Sequence, residues 1–205
     1  MRFEQQTAQA RELAANLSVT RREAAKHFTE RLKELAGQLA MPNLNVDIQW
    51  QPVDLGPSGT DAVDLRLAFN KNQTPVSVKN TASGGEISRV MLCVKSIVAQ
   101  TMSLPTLIFD EVDTGVSGDI AMLMGEMMCS MANHLQVIAI THLPQVAAQA
   151  HQHIKVYKQD NEVETLTRVK SLTPDEHLME VARMLSGRDI DRAAIDNARS
   201  LINNH

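Results

Sequence analysis

Two adjacent carboxylates follow a short apolar run in the middle of the chain. Residues 107–109 have the pattern of a buried strand, and Asp110 and Glu111 come directly after it. Ligands of open α/β sheets bind at the carboxyl ends of strands, and Mg²⁺ prefers oxygen ligands. Asp110 is therefore predicted to hold Mg²⁺ through water, and Glu111 to orient or deprotonate a water that attacks a γ-phosphate. The alternative is a pair of acids that caps a strand before a turn.

A glycine-rich turn lies upstream of these acids and leads into a helical pattern. Ser83 can cap the helix that begins near Glu86, while Gly84 and Gly85 let the backbone approach a ligand closely. Free N–H groups at the start of a helix attract phosphate. The motif therefore predicts a phosphate contact, with a plain capped turn as the alternative.

A second buried strand pattern, residues 136–140, ends in a histidine. The imidazole of His142 is placed to contact a γ-phosphate and to report its presence. A structural or solvated histidine is the alternative. Asp113 lies in a turn directly after the two acids, and we expect this turn to cross to a partner subunit. His151 and His153 alternate at the start of a later strand and are expected to be exposed.

The elements that position these residues follow from the spacing of apolar side chains. Residues 3–40 predict an amphipathic helix, with a possible capping box of Thr20 and Glu23 and a break near residues 18–20. Alternating apolar residues then predict a hairpin with a long loop. The predicted strands are 44–50, 63–69, 106–109 and 136–140, the loop is 52–59, and the helices are 86–101 and 120–131. Helices that alternate with buried strands indicate a mixed α/β domain with a parallel core.

Charge and composition restrict the function classes. The 205-residue chain carries a net charge of −4, which argues against a protein that is basic all over and coats nucleic acid. A local strip on the first helix remains a DNA-binding candidate, with a solvated helix face as the alternative. The strip consists of Arg21, Arg22, Lys26, Arg31 and Lys33. Two cysteines lie within apolar segments and predict buried thiols. No apolar run reaches 18 residues, and we expect a soluble, cytoplasmic protein.

Three runs together resemble bacterial RecN, an SMC-like DNA repair ATPase. The runs are Ala82-Ser83-Gly84-Gly85-Glu86-Ile87-Ser88-Arg89, Phe109-Asp110-Glu111-Val112-Asp113-Thr114-Gly115-Val116-Ser117-Gly118 and Thr141-His142-Leu143-Pro144-Gln145-Val146-Ala147. In order, they look like the signature motif, Walker B motif and switch histidine of an ABC-type ATPase head. No G-x-x-x-x-G-K-[ST] phosphate loop occurs in the chain.

The resemblance implies an α/β fold, the C-terminal lobe of an ABC/SMC-type P-loop ATPase head. Residues 1–40 would be a helical arm, the root of an antiparallel coiled coil, and residues 41–205 the lobe. The cofactors implied are ATP and Mg²⁺, sandwiched between two heads. Glu111 and His142 would be catalytic and Asp110 would hold the metal. Nucleotide would be bound by Ser83, Gly84, Gly85 and Glu86, acting in trans, and by Asp113.

The resemblance also implies partners and a role in recombinational repair of DNA double-strand breaks. The partners are an N-terminal Walker A lobe, a second head in a homodimer, DNA ends or single-stranded regions, and a recombinase. No membrane partner is implied, and DNA damage would bring the protein to the nucleoid. The isolated chain should hydrolyse ATP weakly or not at all. The alternative is a non-enzymatic ABC-like module for docking or DNA binding.

Overall fold

A computed structural model describes residues 2–80, 84–110, 112–160, 164–187 and 189–203. It divides into two compact units, Met1–Met102 and Ser103–His205. The first unit contains α1 (Arg2–Gln38), β1 (Asn45–Gly56), β2 (Gly59–Ala68), β3 (Val76–Ser77), a 3-10 helix (Val78–Asn80) and α2 (Gly84–Met102). The second contains β4 (Thr106–Asp110), α3 (Asp119–Ala132), β5 (Gln136–Ile140), α4 (Pro144–Ala147), β6 (Ile154–Asp160), β7 (Thr165–Ser171), α5 (Pro174–Ser186) and α6 (Arg192–Asn203).

Helix α1 is continuous over its 37 residues, so the predicted break near residues 18–20 is wrong. The Thr20 hydroxyl donates to the Asn16 carbonyl at 3.1 Å instead of capping a new helix. Side chains near the end of the helix form its buried face, among them Leu32, Leu35 and Ala36. Burial against other elements therefore stabilises the last third of the helix most.

A left-handed residue ends α1. Ala40 has φ 57°, and the Met41 N–H donates back to the Ala36 carbonyl at 2.9 Å. This hydrogen bond, from an N–H to the carbonyl five residues earlier, is typical of the Schellman motif, in which a left-handed residue just past the helix ends it. Pro42 follows and prevents the helix from resuming.

The hairpin β1–β2 is antiparallel and packs against α1. Its strands reach Gly56 and Gly59, so its turn is tighter than the predicted 52–59 loop, and a register shift after Pro52 accommodates the proline. Ser18 donates to the Asp61 carboxylate at 3.0 Å, and Arg21 donates to the Ser58 carbonyl at 2.7 Å.

Two cations of the predicted basic strip take part in this packing. The Arg22 guanidinium lies 4.6 Å above the Trp50 ring, and both Arg21 and Arg22 lie within 4.0 Å of the buried Asp61 carboxylate. These two side chains therefore hold the hairpin against the arm.

In the second unit, β4 and β5 form the predicted parallel pair, and α3 lies between them in sequence. The methionines of α3 form core, as a methionine stripe in a helix predicts. The buried ones are Met124, Met127, Met128 and Met131. Gly125 lies on the same buried face, where α3 contacts α4 so closely that a Cβ would stand 2.8 Å from Gln149 Cγ.

Helix α5 begins at a capping box and is linked to the β6–β7 hairpin by side-chain ion pairs. Thr173 and Glu176 form a reciprocal capping box, and Pro174 occupies the first turn. Lys155 of β6 pairs with Glu180 of α5 at 2.5 Å. A small apolar cluster joins α5 to α6 and to the chain after α4, with Ala148, Val181, Ala182, Ala194 and Ala198 at its centre.

His153 is half-buried, so the prediction that it is exposed is wrong, whereas His151 is exposed as predicted. The Nδ1 atoms of His153 and His177 are 2.8 Å apart, which requires one ring to donate and the other to accept. Burial lowers the pKa of both imidazoles, and the neighbouring ring lowers the pKa of His153 further. Glu180 opposes this shift at His153, while Lys155 adds to it.

Both cysteines lie inside helices, and Cys93 is fully buried as predicted, whereas Cys129 is half-buried. Burial raises the pKa of the Cys93 thiol to about 12. Among the described residues, no helix combines the length and the apolar character that a membrane crossing requires.

Two glycine-to-alanine changes should alter stability in opposite directions. Gly125→Ala should lower the free energy of unfolding by about 1–3 kcal/mol, because the new methyl would overlap Gln149 and crowd the backbone of α4. Gly37→Ala should raise it by about 0.5–1 kcal/mol, because Gly37 is helical and its Cβ would meet nothing within 4 Å. Urea unfolding measures both changes in the free energy of unfolding. Changes of the same sign would contradict this account of α3–α4 packing.

Acidification should weaken the β6–α5 junction. A folded-state pKa below the ordinary 6.5 gives stability that is fully present above pH 6.5 and is lost as the pH falls through the folded value. Urea unfolding at pH 7.5 and pH 5 should show this loss in the wild-type chain and a smaller one in His177→Gln. His151→Gln, which changes an exposed histidine nearby, should keep the wild-type dependence. An unchanged dependence in His177→Gln would refute the assignment.

Candidate functional site

The parallel register brings two predicted site residues to one edge of the sheet. Asp110 ends β4 and pairs with Ile140, which ends β5. Thr141 and His142 therefore leave the sheet at the same edge as Asp110. The Asp110 side chain is exposed there, as a ligand of a hydrated ion needs to be.

Asp113 lies beside the end of β5 and is almost completely buried, with 1% of its surface exposed. Its Oδ2 accepts a short hydrogen bond from the Thr141 hydroxyl. The same hydroxyl accepts from the Leu143 N–H at 3.0 Å. Gly115, with φ 74°, allows the tight turn in which the Val116 N–H donates to the Asp113 carbonyl. Thr141 thus ties the turn after β4 to the turn after β5.

The second oxygen of Asp113 faces the histidine. Asp113 Oδ1 lies 3.7 Å from His142 Nδ1 and has no hydrogen-bond partner among the described residues. The His142 side chain is 71% exposed. A small rotation would bring Nδ1 to the hydrogen-bond distance of about 3 Å, which would fix one ring nitrogen and leave Nε2 directed outwards.

Sequence reasoning placed Asp113 in the site but missed Thr141 as its partner. The two residues are 28 positions apart, and a polar turn residue ordinarily points to solvent. The signal that was available is the parallel pairing itself, since it predicts that the residues after both strands meet.

The glycine motif belongs to the first unit, where α2 begins at Gly84 as predicted to within two residues. Gly84 is exposed, and a Cβ there would meet nothing within 4 Å. Ser88 donates to the Gly84 carbonyl at 2.9 Å, and Arg89 donates to the Gly85 carbonyl at 3.2 Å. Glu86 is half-buried in the first turn.

Ser83 and Glu111, the predicted cap and the predicted catalytic acid, lie outside the described residues. Within the described ranges, no group of three or more histidine, cysteine or acidic side chains is arranged to hold a metal ion. A single exposed carboxylate such as Asp110 fits Mg²⁺, which keeps several waters and takes further oxygens from phosphates.

The chain is similar to proteins described as DNA repair protein RecN. It is 39% identical to the Rickettsia conorii protein over 191 residues, which cover 93% of this chain and 35% of that one. Identity to the Bacillus subtilis protein is 35% over 92% of this chain and 36% of that one. The Haemophilus influenzae protein is 34% identical over a stretch that covers 98% of this chain and 36% of that protein. The chain thus spans about a third of the length of these curated relatives. No protein-family model matches it.

Two solved structures confirm the fold class. The SMC head domain with a coiled coil from Pyrococcus yayanosii matches 80% of this chain and 30% of its own, with a TM-score of 0.63 and 17% identity. A chain from a study of ATP-driven dimerization of SMC ATPases matches over 84% of this chain and 99% of its own, with a TM-score of 0.58 and 16% identity. The predicted α/β fold, with a helix and a hairpin at its N-terminal end and a likeness to SMC head domains, is therefore correct.

Thr141→Val should destabilise the chain by about 1–3 kcal/mol, because it leaves the buried Asp113 oxygen and the Leu143 N–H without their partner. The matched control is Thr106→Val in β4, whose hydroxyl donates to Gln136 at an exposed position and should contribute little. Urea unfolding compares the two variants. Equal effects would contradict the assignment of Thr141 as the tie between the two turns.

Proposed function

Because the chain is a homologue of one segment of the RecN DNA repair proteins, we propose that it is the carboxyl-terminal lobe of a RecN-type ATPase head. Residues 1–40 are its helical arm and residues 41–205 the lobe. The head binds and hydrolyses ATP between two copies and thereby drives repair of DNA double-strand breaks. The cluster of Asp110, Asp113, Thr141 and His142 at the end of the β4–β5 pair supports this most directly.

Each residue of the cluster has a role suited to its environment. Exposed Asp110 would hold a Mg²⁺ ion, which would supply charge neutralisation on the phosphates. Glu111, the next residue, orients or deprotonates the attacking water. His142 contacts the γ-phosphate through its outward nitrogen. After a small rotation of the ring, buried Asp113 would accept a hydrogen bond from the other ring nitrogen, Nδ1, and fix the orientation of the ring.

The glycine motif serves the nucleotide of the opposite head. Gly84 and Gly85 let the backbone approach the phosphates, and the N–H groups in the first turn of α2 attract them. Ser83 belongs to the same motif as its predicted cap. Glu86 lies in the same turn. A Cβ at Gly84 would meet nothing within 4 Å, so the backbone there is open to a ligand.

An uncovered apolar face supports the need for a completing lobe. Three isoleucines of the β4–β5 pair, Ile108, Ile138 and Ile140, are 43–56% exposed, whereas parallel strands are ordinarily covered on both faces. The chain also lacks a phosphate loop. We assign this face to the Walker A lobe, which the remaining two thirds of the relatives' length can supply.

DNA and a recombinase are the further partners that we propose for the complete protein. It would act at the nucleoid of a cell with damaged DNA. The basic strip of α1 gives DNA contact little support. Arg21 and Arg22 hold the hairpin, and Arg31 pairs with Glu34 at 2.6 Å. Only Lys26 and Lys33 of the strip have no ionic partner in the described part of the arm.

We expect the chain alone to hydrolyse no more than trace ATP, and hydrolysis to appear when the Walker A segment is added. Glu111→Gln should remove that activity by about 100-fold or more, because the water loses its base. Ser83→Arg should remove it by blocking the motif that acts in trans. A phosphate-release assay on the mixed segments measures both changes.

The matched control is Glu126→Gln, which alters an exposed glutamate of α3 and should leave the rate unchanged. Association without hydrolysis would indicate a docking module instead. Turnover by the chain alone, abolished in Glu111→Gln, would show that no completing lobe is needed.

A further inference from the structure

Arg89 joins the glycine turn to the end of the arm helix. It lies in the second turn of α2 and is only 9% exposed. Its Nη1 donates to the Leu39 carbonyl at 2.8 Å, across 50 positions of sequence. Its Nε donates to the Gly85 carbonyl at 3.2 Å. One planar guanidinium therefore holds both groups, which a lysine ammonium on a flexible stem cannot do in the same fixed geometry.

The Leu39 carbonyl needs such a donor because of how α1 ends. The last carbonyls of a helix have no intrahelical partner. The Ala36 carbonyl is satisfied by the N–H groups of Leu39 and Met41, and Ala40 turns the chain away before another turn can form. The last turn of α1 contains no basic side chain of its own. Arg89 therefore supplies both the missing donor and the positive charge that a helix C-terminus favours.

The other contact of Arg89 is to the motif assigned to nucleotide. Gly85 lies in the first turn of α2, so its carbonyl moves with the turn that meets the phosphates. A buried guanidinium with two carbonyl acceptors is costly to separate from either one, because each lost bond leaves a buried charge less well solvated. Because these hydrogen bonds are costly to break, a displacement of the glycine turn should move Arg89 and the Leu39 carbonyl with it.

We propose that Arg89 is a positioning residue that couples nucleotide contact at the glycine turn to the end of the arm helix. This inference rests on the proposed function, since it takes the turn to be a nucleotide contact. Gly85, Arg89 and Leu39 are joined as one unit without nucleotide. Nucleotide that engages the turn restrains this unit, and its departure lets the turn and the end of α1 move together.

Hydrogen exchange in the full-length protein tests the coupling. The probe is a non-hydrolysable ATP analogue with Mg²⁺, and the readout is amide exchange of residues 39–41 and of the first turn of α2. In the wild type the analogue should slow exchange in both segments, by about fivefold or more at the end of the arm. In Arg89→Lys the slowing at the α2 turn should persist and that at the arm should be lost.

The control is Arg31→Lys, which should behave as wild type. Arg31 lies in α1, and its ion pair among the described residues is the local one to Glu34. Thermal unfolding and analogue affinity are measured on the same samples. If Arg89→Lys lowers the unfolding temperature and the affinity for the analogue along with the arm response, Arg89 is merely structural and the proposal is wrong. An arm response that survives in Arg89→Lys also refutes it.

Exchange in the wild-type protein alone distinguishes a failure of the coupling from a failure of the proposed function, even if the variant does not fold. Slowed exchange at the α2 turn with an unchanged arm would refute the coupling and leave the proposed function in place. No response at the α2 turn, despite bound analogue, would refute the role of the motif and the coupling with it.

Discussion

The register of the two parallel strands is the constraint on which the site depends. Because Asp110 stands opposite Ile140, the turns that follow both strands begin at the same level and Thr141 can reach Asp113. A slip of one residue would move every side chain of a strand to the opposite face. It would expose Phe109, which is completely buried, and separate the carboxylate from the hydroxyl. Core packing and site geometry therefore select the same register.

Local patterns predicted the helices and strands well. They failed to predict the burial of side chains whose contacts come from residues far away in the sequence. The strand ending in Phe109 and the methionine helix follow from apolar spacing alone. Alternation predicted an exposed His153, but α5, more than 20 positions later, covers it with His177. Asp113 is buried for the same kind of reason, since its partner belongs to another strand end. Asp110, Asp113 and His142 could be predicted from sequence as candidates, whereas the contacts between their side chains and Thr141 could not.

The arm shows how tertiary contacts reassign local signals. Thr20 and Glu23 have the spacing of a capping box, yet the helix continues because the hairpin docks along this stretch through Ser18 and Arg21. The same docking uses charges that, in sequence, have the pattern of a nucleic-acid strip. A buried carboxylate, Asp61, collects two of them, and Trp50 covers the face of one. Cationic side chains on a helix can thus serve attachment within the chain.

The length of α1 gives its fixed end a mechanical meaning. A helix of 37 residues measures about 55 Å at 1.5 Å per residue. Burial is concentrated in its final turns and the hairpin is docked along its middle, so the arm and the hairpin would pivot together about those turns. A tilt of about 5° at that pivot moves the far end of such a rod by about 5 Å. Sub-ångström changes around a single guanidinium would thus become displacements comparable to the spacing between two β-strands.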